Sequence, residues 1–133
     1  MDLAEALLAQ LEAAPAVTAI VANRIHWARR DQASPLPALV LTIVSRTSEG
    51  DTIEAEGPIW TSRVQADCFA GSHAQAWALA AAVRSAIADP ADVSGFDLFG
   101  ADVEGPTDLS EDQPEGVIHR ASLDLIIRHG ADV

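Results

Sequence analysis

Leu3, Leu7, Leu8 and Leu11 recur at helical spacing behind Asp2 and Glu5, which form a capping-box pattern, until Pro15 stops the run. The spacing predicts a helix over about residues 2 to 13. The next stretch admits another helical turn around Val17 to Val21, a turn at Asn23 and an extended piece from Ile25 to Trp27. "ARRDQASPLP" reads as a loop, because Pro35 and Pro37 disfavour helix in the residues before them and offer no amide donor. Residues 38–46, "ALVLTIVSR", are β-branched and apolar on both faces, as in a strand well inside a sheet. From Ser62 to Ala70 the pattern changes to alternation: Val64, Ala66 and Cys68 point one way, and Arg63, Gln65 and Asp67 the other. Between these strands, "TSEGDTIEAEGPIWT" carries turn signals at Glu49-Gly50-Asp51 and Glu56-Gly57-Pro58 and four acids. It predicts a long hairpin whose tip projects into solvent.

Ser72 and Gln75 form a second capping box, and Ala76, Leu79, Ala80, Val83 and Ile87 make one apolar stripe before Asp89-Pro90 ends the helix. An alanine-rich stripe lets this helix lie close to a sheet, with Trp77 expected to fill the edge of the contact. "VSGFDLFGADVEG" reads as a weaker strand and "PTDLSEDQPEG" as a polar, acidic loop. In "HRASLDLIIRH", Ala121, Leu123, Leu125 and Ile127 face one side, and Arg120, Ser122, Asp124 and Arg128 the other. The expected fold is α+β: a mainly antiparallel sheet of four to five strands, with two helices on the face of Val64, Ala66, Leu123 and Leu125. The opposite face mixes Arg63, Asp67, Arg120, Asp124 and Arg128 with Phe69 and Ile126, which suits either a solvated face or a subunit contact.

A chain of 133 residues, 49 % hydrophobic and 21 % charged, is long enough for one core without staples. The lone Cys68 excludes an internal disulfide framework and fits a reducing compartment. The first residues have no basic n-region and no continuous apolar run, so neither a signal peptide nor a membrane span is expected, and synthesis in the cytoplasm is the simplest reading. Charge is the unusual feature: twenty acids against eight bases give −12, and every base is Arg. With no cationic run longer than Arg29-Arg30, specific binding to nucleic acid is not expected.

The stretch "DCFAGSH" places an acid, a thiol and an imidazole close together, but the alternation turns Cys68 toward the helix and Asp67 away from it. A reactive thiol needs an exposed, electropositive setting, so Cys68 reads as a small buried hydrophobe. His26, His73, His119 and His129 show no metal-ligand spacing, and no phosphate loop, nucleophile elbow or HExxH occurs. The acids of "EAE" and "SED" lie in expected loops with no apolar pocket to split their pKa values. No catalytic, metal or cofactor site is expected.

The order of "VTAIVANRIHW", a proline-containing loop before "PALVLTIVS", then "SRVQADCFAGSHAQAWALAAAVRSAI" and "HRASLDLIIRH", resembles the tail-completion, or tail-terminator, family of long-tailed bacteriophages and gene transfer agents. Arg63, Val64, Gln65, Asp67, the segment Gly71 to Ala76 and the RxSLD pattern at Arg120 to Asp124 carry the resemblance; residues 91–116 do not. It implies one tail-terminator-like domain over 1–133 and a non-enzymatic virion protein of the tail-neck region. Such a protein forms a ring of six copies at the head-proximal end of the tail tube, ends tube polymerisation and offers a surface for head-tail joining. Its implied partners are its own copies, the tail tube protein and a head-tail connector or stopper protein, with DNA passing through the lumen unbound and no membrane. The residues expected at subunit or tube contacts are Glu49, Asp51, Glu54, Glu56 and Trp60 on the hairpin, and Arg63, Gln65, Asp67, Arg120, Asp124 and Arg128 on the polar sheet face. Six copies at −12 each would carry −72, enough to keep a sliding genome off the wall of a channel. Three rival readings stand beside this one: another neck protein, a small-molecule-binding domain using Trp27, Trp60 and Trp77, and a Cys68-dependent enzyme.

Overall fold

Asp2 caps the first helix as the sequence requires, its carboxylate accepting the Glu5 amide at 2.9 Å. The computed structural model describes residues 1–30, 35–48, 59–114 and 116–133. The loop expected at 31–34 and the hairpin tip at 49–58, with its two turns, lie outside the described residues. Three helices and seven strands follow in the order α1 (Leu3–Glu12), α2 (Pro15–Val21), β1 (Ile25–Trp27), β2 (Ala38–Ser48), β3 (Trp60–Ala70), α3 (His73–Ile87), β4 (Ala91–Val93), β5 (Phe96–Asp108), β6 (Glu111–Gln113) and β7 (Gly116–His129). Six strands run across the sheet as β1-β2-β3-β7-β5-β4, and β6 pairs with β7 beside this path.

Every pairing is antiparallel except β1 with β2, which is parallel. The centre is the β3/β7 pair, with Val64 opposite Leu125 and Ala66 opposite Leu123. These side chains and Cys68 are fully buried in one cluster with Leu3, Leu7 and Leu11 of α1, Val17 and Val21 of α2, and the stripe Ala76, Leu79, Ala80, Val83 and Ile87 of α3. Burial of each leucine stabilises by about 1.5–3 kcal/mol relative to exposure, so this one face dominates folding. Ser72 caps α3 through the Gln75 amide at 3.2 Å, as its spacing predicts.

Five expectations need correction. There are three helices rather than two: the turn expected around Val17 to Val21 is a helix of its own, α2, because Pro15 sits at its first turn, where a missing amide costs nothing. The sheet has seven strands rather than four or five. The expected acidic loop after Gly105 is largely strand: β5 runs on to Asp108 and β6 follows, with irregularities between Leu98 and Gly100 and between Glu104 and Thr107 that broke the alternation. β2 is buried only through Leu41; Ile43 is 42 % and Val44 54 % exposed, since the strand runs on past β1. Trp77 does not fill the helix-sheet contact but lies 37 % exposed, its ring 5.2 Å from that of His73.

Gly105 marks the second irregularity. Its φ of +102° is a left-handed conformation, and a Cβ there would come within 2.8 Å of the Ser122 carbonyl oxygen, so glycine is required. The Arg84 guanidinium donates to the Gly105 carbonyl, tying α3 to β5.

Candidate assembly surface

The face of the sheet turned away from the helices gathers most of the described contact candidates. β3 contributes Arg63, Gln65, Asp67 and Phe69; β7 contributes Arg120, Asp124, Ile126 and Arg128, with Gln65 opposite Asp124, Phe69 opposite Arg120 and Arg63 opposite Ile126. Arg63 grips Asp124 at 2.9 and 3.4 Å with two guanidinium nitrogens, and its pKa is raised by that hydrogen bond and charge. Exposed as it is, this pair is worth little to stability.

Asp67 behaves differently. It is only 6 % exposed, and accepts from Arg120 Nε at 3.0 Å and from Gln65 Nε2 at 3.1 and 3.2 Å. It is therefore a buried, satisfied carboxylate rather than part of a solvated face. Beside it lies a cleft of about 270 Å³ lined by Ala28, Arg29, Arg30, Val40, Asp67, Phe69 and Arg120. The guanidinium carbons of Arg30 and Arg120 stand 5.2 and 5.6 Å from the centre of the Phe69 ring, in cation–π range. A second cleft of about 310 Å³ includes Phe99, Asp102, Ile126 and Arg128 among its walls.

Trp60 is not on this face. It shares the side of Ser62, opposite Ser48, under the Arg46 guanidinium at 4.5 Å, and Arg46 also approaches Asp132 at 3.6 Å. Glu49, Asp51, Glu54 and Glu56 lie outside the described residues. Trp27, Trp60 and Trp77 stand on β1, β3 and the exposed side of α3, and none lines either cleft. The shared tryptophan pocket of the small-molecule reading is absent from both clefts.

Cys68 is buried as its parity required, and burial, with the Asp67 charge adding to it, pushes its pKa up to about 12. A thiol held so far from ionisation is a poor nucleophile. The sequence reading missed two polar contacts. His73 and His119 meet edge to face at 6.2 Å, although no group of three metal-ligating side chains forms among the described residues. Ser62 Oγ lies 2.7 Å from His129 Nε2, whose Nδ1 lies 2.7 Å from the Gly130 carbonyl. A carbonyl only accepts, so Nδ1 carries the proton and Ser62 donates to Nε2. Both residues are fully buried, with the imidazole stacked on Phe96 at 5.5 Å, so this pair stitches β3 to β7 and meets no substrate. Burial lowers the His129 pKa. Parity held the clue, since Ser62 and His129 both fall on the inward phase of their strands.

One sheet face thus carries an open cleft and two well-formed ion pairs. The match of residues 5–130 to the tail completion protein gp17 family places the chain plainly in that family of virion tail proteins. Among solved structures, the fold is similar to a chain of the virion of a native gene transfer agent particle, at a TM-score of 0.65 and 21 % identity over 97 % of this chain and 95 % of that one. None of the curated proteins matches it.

Proposed function

We propose that the chain closes into a ring, six copies in the reading that the family resemblance implies, at the head-proximal end of a tail tube. There it ends tube growth and joins tail to head without enzymatic activity. The family match carries the reading. Geometry supports it, because a closed ring needs two unlike surfaces on each subunit. β1 covers β2 only at Leu39–Leu41, and β4 covers β5 only at Phe96–Leu98. Beyond those points, no strand among the described residues pairs with the outer edges of β2 and β5. One open edge bears Ile43, Val44 and Arg46; the other bears exposed Phe99, Asp102 and Glu104. Unpaired edges of this length invite a partner strand.

In this reading, the hairpin arm and the polar face carry subunit and tube contacts through Glu49, Asp51, Glu54, Glu56, Trp60, Arg63, Gln65, Asp67, Arg120, Asp124 and Arg128. The exposed acids Asp102, Glu104, Asp108, Glu111 and Asp112 of β5 and β6 suit a channel wall that repels phosphate. The tube protein and a head-side connector are its neighbours, in the neck of a virion assembled in the host cytoplasm. Electron microscopy of particles made without this chain tests the proposal: tails of unregulated length, unjoined to heads, are expected. Tails of normal length attached to full heads would overturn it.

A further inference from the structure

We propose that the uncovered edge of β2 in one copy pairs, antiparallel, with the uncovered edge of β5 in the next, so that one sheet runs from subunit to subunit; the inference rests on the ring reading and names its contact. The two edges lie toward opposite ends of the strand order β1-β2-β3-β7-β5-β4. Among the described residues, β1 covers β2 only as far as Leu41, and β4 covers β5 only as far as Leu98. Register carries the inference. Across the sheet, Thr42 is level with Gln65, Asp124 and Glu104; Ile43 with Val64, Leu125 and Val103; Ser45 with Arg63, Ile126 and Asp102; and Thr47 with Thr61, Arg128 and Gly100. The uncovered stretch of β2 therefore stands at the same height as the uncovered stretch of β5.

Direction fits as well. Each pairing from β2 through β3 and β7 to β5 is antiparallel, so β2 and β5 run oppositely. A second copy set beside the first in the same orientation offers its β5 to β2 as an antiparallel partner, and the two stretches face each other without a slide. Their side chains match row by row. On the helix side, the exposed Ile43 meets the half-buried Val103. On the other side, the hydroxyls of Thr42 and Ser45 meet the exposed carboxylates of Glu104 and Asp102. From Thr42 to Thr47, β2 holds no acid. Two β5 edges would instead set four carboxylates along one seam, where like charges repel. The pairing also has natural ends: β1 occupies the edge of β2 before Thr42, and Pro106 has no amide to extend it. Each copy gives one edge and takes the other, which is the head-to-tail contact that builds rings.

The test is a disulfide between copies, in the full chain carrying Ser45→Cys and Asp102→Cys. Within one copy these positions are three strand spacings, ~14 Å, apart, and a disulfide needs Cα atoms within about 7 Å, so any bond between them joins two copies. Oxidation, alone or after mixing with tail tube subunits, is expected to give covalent multimers on a non-reducing gel, and either cysteine alone to give none. Dimers from Ser45→Cys alone would mean that β2 pairs with β2 and would overturn the proposal. Hydrogen exchange of the unsubstituted protein guards against a variant that misfolds: amides within 42–47 and 100–104 should exchange at least about tenfold more slowly on assembly. Sedimentation of unsubstituted chains keeps the two readings apart. A closed ring whose double-cysteine variant stays unlinked and whose edge amides exchange unchanged overturns the edge contact and leaves the ring standing. Covalent multimers from chains that build only an open series support the contact and fail the ring, and chains that neither assemble nor cross-link overturn both.

Discussion

The β3/β7 pair presents two faces built from alternate residues of the same two strands, and they are physically unlike. Toward the helices stand Val64, Ala66, Cys68, Leu123 and Leu125, all fully buried, with one polar contact, Ser62 to His129, satisfied inside. Away from the helices stand the Arg63–Asp124 and Arg120–Asp67 ion pairs, with one cleft beside Asp67 and Arg120 and a second at Ile126 and Arg128. A period of two lets one strand hold the fold together on one side and offer charge to a neighbour on the other. The inner face holds the fold together, and in the proposed reading the outer face is the one that meets neighbours.

The comparison is broken most severely from inside. Leu123→Ala should cost about 2–5 kcal/mol, read as a lower urea midpoint, because a cavity opens under α3. Asp67→Ala should cost about 1–3 kcal/mol despite lying on the outer face, since it removes a buried acceptor from Arg120 and Gln65. A loss no larger than that of an exposed aspartate would contradict its buried role.

Acid sharpens the contrast next. Burial holds the folded pKa of His129 below 6.5. Above pH 6.5 both folded and unfolded states are neutral there, and its contribution is constant. As pH falls below 6.5, the unfolded state takes up the proton first and stability declines toward the depressed folded value. Urea titrations at pH 7.5 and 5.5 should show this loss, and His129→Gln should remove that part of the slope. Cys68 should react with iodoacetamide only through opening of the fold, orders of magnitude below the rate in urea. The smallest effect belongs to Arg63→Ala, which should leave the urea midpoint unchanged while altering assembly.

The inner face was legible because periodicity records it: the α3 stripe and the Val64–Cys68 alternation appear in the structure residue for residue. β5 was read as a weaker strand as far as Gly105, but its end and β6 were not legible, because Gly105 and Pro106 interrupt the alternation where the register shifts, and a broken period resembles a loop. The far half of β2 misled for another reason: its apolar residues suit burial, yet Ile43 and Val44 stand exposed where the strand runs on past its last pairing with β1. On the outer face the charges were readable but their partners were not, since Asp67 and Arg120 are 53 residues apart in the chain. Ser62 and His129, 67 residues apart, escaped for the same reason.

The central claim is that the outer face and the open edges join copies head to tail into a closed ring. Native mass spectrometry of the 14.0 kDa chain across concentration, alone and after mixing with tail tube subunits, tests it most directly. The account predicts one discrete species of six copies with no ladder beyond it. A monomer under every condition, or an open-ended series of ever longer assemblies, would contradict it.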